Sequence, residues 1–162
     1  MEVIVMCNSI PRPEHPRPDF QRDTFLNLNG TWQFAFDDKD EGLKNGWYRP
    51  DYQLGKKILV PFAYQTEKSG LGPTDEIHPV LWYRRTFTLP ESLQGRRVLL
   101  RFGAVDYKAV VYVNGQRMGS HVGGYTPFAL DVTNALCEGE NDLCVRVEDQ
   151  PDCTQPRGKQ HW

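Results

Sequence analysis

Apolar side chains in this sequence recur at every second position, in segments too short for helices and separated by residues that turn the chain. Between Thr31 and Asp37, Trp32, Phe34 and Phe36 share one parity, with Thr31, Gln33 and Asp37 on the other. Leu81, Tyr83, Phe87 and Leu89 alternate with Trp82, Arg84, Thr86 and Thr88, and Val98, Leu100 and Phe102 with Arg97, Leu99 and Arg101. A period of two is that of a strand burying one face. Tyr107–Val113 runs into Asn114-Gly115, whose tolerance of positive φ suits a tight hairpin turn, so Gln116–Val122 is the returning strand. Phe128, Leu130 and Val132 follow Gly123-Gly124, and Leu143, Val145 and Val147 follow the turn Glu138-Gly139-Glu140-Asn141. Ile58-Leu59-Val60 reads as a short buried strand stopped by Pro61.

About eight short strands, each with one face to hide, call for a second sheet to cover the first. The expected fold class is all-β: an antiparallel sandwich with at most one short helix, over the polar stretch Asp38–Gly46. Phe62–Pro79 has no periodicity and forms a loop of the length that often carries function. The boundaries are a proline-rich extended arm over 1–22, the sandwich over 23–149, and the start of a loop over 150–162.

Several function classes are excluded at this level. The 162 residues suit one domain and are too few for an eight-fold β/α barrel, which needs about 200. A formal charge of −2 offers no basic stripe for nucleic acid. Val3–Met6 is too short for a signal-peptide core or a membrane span, and Cys7, Cys137, Cys144 and Cys153 have no CxxC spacing, so a cytoplasmic, reduced setting is expected. His15, His78, His121 and His161 are scattered, and Asp37–Glu41 lacks a calcium-loop pattern; neither metal nor cofactor is expected. Asp37, Asp38, Asp40, Glu41, Glu138 and Glu140 read as solvated turn residues, with no catalytic pair among them. Gly123-Gly124-Tyr125-Thr126-Pro127-Phe128 reads as a bend between strands.

Six fragments then stand in register: Leu28-Asn29-Gly30-Thr31-Trp32-Gln33-Phe34, Val60-Pro61-Phe62, Trp82-Tyr83-Arg84-Arg85-Thr86-Phe87, Val113-Asn114-Gly115, Gly123-Gly124-Tyr125-Thr126-Pro127-Phe128 and Pro156-Arg157-Gly158-Lys159-Gln160. Together they resemble the N-terminal sugar-binding domain of glycoside hydrolase family 2, the family of β-galactosidases, β-glucuronidases and β-mannosidases. The resemblance implies a jelly-roll sandwich of the galactose-binding type. In the family, an immunoglobulin-like domain and a β/α barrel with two catalytic glutamates follow it.

The chain is accordingly expected to be truncated before the domain's closing strand, to be inactive alone, and to act on β-glycosides only within a full-length retaining glycosidase. An open sheet edge would favour a homo-oligomer by edge pairing. The resemblance makes Asp75, Glu76, His78, Lys159 and Gln160 candidates to edge a sugar subsite, and Arg157 and Trp162 candidates for interdomain contact. The alternative is a free-standing carbohydrate-binding module, whose aromatic platform would draw on Trp47, Tyr48, Tyr64 and Trp162.

Overall fold

Each alternating segment is a strand in the computed structural model, which describes residues 10–15, 19 and 24–150. The strands are β1 (Gly30–Phe36), β2 (Lys56–Val60), β3 (Val80–Thr88), β4 (Leu99–Phe102), β5 (Lys108–Val113), β6 (Gln116–Val122), β7 (Phe128–Asp131) and β8 (Glu140–Glu148). Six form one sheet in the order β2-β1-β3-β8-β5-β6; β4 and β7 form the other. Every pairing is antiparallel. Asn114 and Gly115 both take positive φ, 51° and 78°, and close the β5–β6 hairpin as their residue types require.

The two sheets enclose the main core. Trp32, Phe34, Ile58, Leu81, Val111, Val113, Leu143, Val145 and Val147 from the large sheet meet Leu100, Phe102, Phe128 and Leu130 from the small one. β6 approaches β7 closely enough that a Cβ on Gly119 would lie 2.8 Å from the end of the Leu130 side chain, which would have to shift to admit it.

The large sheet is also covered on its outer face, which alternation alone did not predict. Residues 37–55 cross that face, and Leu54, Trp47, Tyr48 and Tyr52 pack on Val80, Trp82, Tyr112 and Cys144. Trp82 and Arg84, read from parity as outward-facing, are 0% and 1% exposed. Arg84 is neutralised by Asp142 at 3.3 Å and donates to the carbonyls of Trp47, at 2.7 Å, and Tyr52.

The short helix expected over Asp38–Gly46 does not form; the stretch is a succession of turns. Its organiser is Asp37, whose carboxylate accepts the N–H groups of Glu41 and Gly42, both at 2.9 Å. Asp37 is thus buried, 4% exposed, and corrects the reading of this run as wholly solvated; Asp38, Asp40 and Glu41 are exposed as expected. A side-chain acceptor for consecutive backbone donors competes with a helical turn, which explains the outcome. Asp40 reaches Arg146 on β8 at 2.6 Å and fastens the start of the same cover.

Candidate functional site

The long loop after β2 is held by two side chains, those of Ser69 and Tyr64. A 3-10 turn at Glu67–Ser69 starts the return, and buried Ser69 donates to the carbonyls of Thr66 (2.7 Å) and Tyr64 (3.2 Å). The same hydroxyl accepts the Leu71 N–H at 3.1 Å. Tyr64, itself buried, donates its hydroxyl proton to the Glu76 carbonyl at 3.1 Å and accepts the His78 N–H at 3.3 Å. One phenol thereby fixes the path of residues 76–78.

His78 is the centre of the resulting site. Its ring stacks on Phe36 with centroids 3.6 Å apart and planes at 22°. Nδ1 lies 2.8 Å from Asp38 Oδ1, and Nε2 lies 3.6 Å from Glu76 Oε2. The tautomer follows from these neighbours: a neutral ring carries its proton on Nδ1 toward Asp38. Around the ring, Phe36, Lys56, Tyr64, Leu71, Thr74, Glu76 and His78 line a cavity of about 170 Å³. Lys56 holds its ammonium 5.6 Å from the Phe36 ring centroid.

The arrangement mixes donors (Lys56, Thr74), a carboxyl group (Glu76), an imidazole and apolar surface from Phe36 and Leu71. Hydroxyl groups and C–H faces alternate on a sugar ring, and such a lining can meet both. Nothing here resembles an activated nucleophile. Among the described residues no group of three or more His, Cys, Asp or Glu is placed to hold a metal ion.

Of the residues singled out beforehand, Glu76 and His78 are brought together in the cavity. Asp75, immediately before Glu76 in sequence, is exposed and outside the lining. Lys159, Gln160, Arg157 and Trp162 lie outside the described residues. Sequence reasoning did not bring Phe36, Asp38, Lys56 or Tyr64 to this site, since they meet the loop only through the fold. Phe36 carried a signal: it ends an apolar face whose other members, Trp32 and Phe34, enter the core.

The aromatic residues considered for a platform are used internally. Trp47 packs against Tyr52 and Trp82, Tyr48 stacks on Tyr112 at 5.0 Å, and Tyr64 serves the loop. Tyr125, at the bend between β6 and β7, is the large aromatic that stands out, 81% exposed.

Comparison with known proteins agrees with this architecture. The family description "Glycosyl hydrolases family 2, sugar binding domain" matches residues 25–157. A β-glucuronidase from Paenibacillus borealis is 34% identical over 133 residues, covering 79% of this chain and 22% of that protein. A β-galactosidase from Thermoanaerobacter pseudethanolicus is 32% identical over 125 residues, covering 76% and 16%. The solved β-glucuronidase of Lactobacillus rhamnosus superposes with a TM-score of 0.67 at 35% identity, over 77% of this chain and 21% of that one. The sandwich is the jelly-roll of these proteins, and the chain spans about a fifth of the length of such relatives.

Proposed function

This chain belongs to glycoside hydrolase family 2 as its sugar-binding domain, and from that premise we propose that it serves as the N-terminal accessory domain of a retaining β-glycosidase. It supports a catalytic β/α barrel and presents the Glu76–His78 loop at the edge of the sugar subsite. Glu76, His78, Lys56 and Thr74 contact hydroxyl or carboxyl groups of the terminal sugar there, and Phe36 and Leu71 face its C–H surface. Hydrolysis belongs to two carboxyl groups about 5 Å apart in the barrel, and the chain alone performs none. An immunoglobulin-like domain and the barrel are its proposed partners.

The observation that carries this reading is the polar cavity built around His78, on a loop pinned at Ser69 and Tyr64. The stacking of Trp47 on Tyr52 and of Tyr48 on Tyr112, together with the burial of Tyr64, speaks against a free-standing carbohydrate-binding module, which needs its aromatic faces in solvent.

The test is to titrate the chain with glucuronides, galactosides and mannosides by calorimetry, and to assay the same sample for release of a chromogenic aglycone. The expected results are binding no tighter than millimolar and no turnover. Micromolar affinity would favour the free-standing module, and turnover would overturn the accessory role.

A further inference from the structure

The small sheet has an open edge along β4. Val132 donates its N–H to the Val98 carbonyl at 3.1 Å, and the ladder runs on with Leu99 opposite Asp131 and Arg101 opposite Ala129. Opposed residues of an antiparallel pair are alternately bonded and non-bonded. Leu100 and Phe102 therefore bond to β7, while the N–H and C=O groups of Leu99 and Arg101 point away from it. No described residue bonds to those outward groups.

The other edges are guarded. β2 opens with Lys56 and Lys57 and stops at Pro61. β6 slips register where it passes Val111 and Tyr112, and it carries Arg117. The far side of β7 lies against β6, where Leu130 meets Gly119. Lysines, prolines, bulges and cover keep a strand edge from pairing with another chain. β4 has no such device. Its outward face carries Leu99, 38% exposed, and Arg101, exposed and without a hydrogen bond or ion pair to a described residue.

We propose that β4 is a self-association edge, on which β4 of a second copy pairs antiparallel about a two-fold axis to give a continuous sheet β7-β4-β4-β7. Charge selects the register. Centring the pair on Arg101 sets that residue opposite itself, and centring it on Leu99 sets Arg101 opposite the partner's Arg97; like charges directly opposed are unfavourable. Centring it on Leu100 sets Leu99 opposite the partner's Arg101 and joins the outward N–H and C=O groups of both copies. Asp131 then stands in the same row, two strands or about 10 Å from the partner's Arg101. That arginine covers Leu99 with its stem and turns its guanidinium to the carboxylate that Arg97 already holds at 2.7 Å. A strand of 4 residues buries little surface, so the dimer is weak. The proposal rests on the edge of the small sheet and not on the accessory role, so either can fail without the other.

The test is sedimentation equilibrium of the full 162-residue chain from about 10 μM to about 1 mM, with amide exchange measured at both extremes. A reversible dimer with a dissociation constant on the order of 100 μM is expected. The Leu99 and Arg101 amides should exchange fast in the dilute sample and slowly in the concentrated one. Leu99→Lys puts a like charge opposite the partner's Arg101, twice by symmetry, and should weaken the dimer at least about tenfold. Leu99→Glu, at the same exposed position, should weaken it less. Val122→Lys, exposed on β6, should change nothing. A monomer throughout, equal loss from both Leu99 variants, or loss from Val122→Lys would each overturn the proposal. So would slow exchange at Leu99 and Arg101 in the dilute monomer, which would mean that another part of the same chain fills the edge.

Discussion

Trp82 donates its indole N–H to the carboxylate of Asp37 at 2.9 Å, across 45 residues of sequence and with both side chains buried. The same carboxylate holds the N–H groups of Glu41 and Gly42, so one side chain joins the central strand β3 to the cover on its outer face. Asp37→Ala would strand these donors. A loss of roughly 3 kcal/mol follows, which lowers the melting temperature by about 5–15 °C in a domain of this size. Asp37→Asn keeps one acceptor oxygen and should lose less. Differential scanning calorimetry of both variants checks the order.

Gly42 lies against that junction. A Cβ there would be 2.6 Å from both Asp37 Oδ2 and Trp82 Nε1, so Gly42→Ala must displace the carboxylate or the indole, at a cost of about 1–3 kcal/mol. Gly55 has nothing within 4 Å of the same added atom and no positive φ. Gly55→Ala should be neutral or stabilise by up to about 1 kcal/mol. Chemical denaturation of the pair, read as midpoints at equal slope, separates crowding from backbone entropy.

Tyr64→Phe keeps the ring and deletes the hydroxyl that serves both Glu76 and His78. The expected outcome is a loss of about 1 kcal/mol and markedly faster amide exchange at His78, with the Ser69 bonds unaffected. Exchange mass spectrometry resolves the two ends of the loop. Unchanged protection at His78 would show that the phenol does not hold the site.

Asp131 is held at a pKa of about 2 by Thr133, whose hydroxyl and N–H both donate to it, and then by Arg97 at 2.7 Å. Its folded pKa lies below the unfolded one, so its contribution to stability is complete above about pH 4 and disappears as pH falls toward 2. Thr133→Val should return the midpoint toward the ordinary aspartate value and remove part of the acid sensitivity. Carbon-detected NMR titration of the carboxyl group measures this directly.

Burial pushes the Cys144 thiol up to about 11, despite the nearby Arg84. A thiol that stays protonated and enclosed does not alkylate at pH 8. Iodoacetamide should label Cys144 only after denaturation, whereas exposed Cys137 labels in the native protein. Peptide mapping before and after unfolding reads both.

The strands were legible because their signal is local. Alternation marked β1, β3, β4 and β8, and Asn114-Gly115 marked the β5–β6 turn. The cover over the outer face was not legible, since Trp47, Tyr48, Tyr52 and Leu54 follow no period and their partners lie on β3, β5 and β8. A clue did stand in the sequence: a tryptophan at the outward parity of β3 needs apolar surroundings, and Trp82 has them. Asp37 was misjudged for the same reason, because its burial depends on an indole brought from a distant strand. In the site, loop length marked the segment and the family resemblance pointed to Glu76 and His78, but no local pattern could name Asp38, which meets His78 across 40 positions.

The cover over residues 37–55 has no regular structure, yet it roofs an aromatic surface. A protease that nicked this stretch would therefore do more than open a surface loop. It would bare Trp82 and Tyr112 to water and leave an adhesive aromatic patch, so this irregular span keeps a sticky face of the sheet out of solvent.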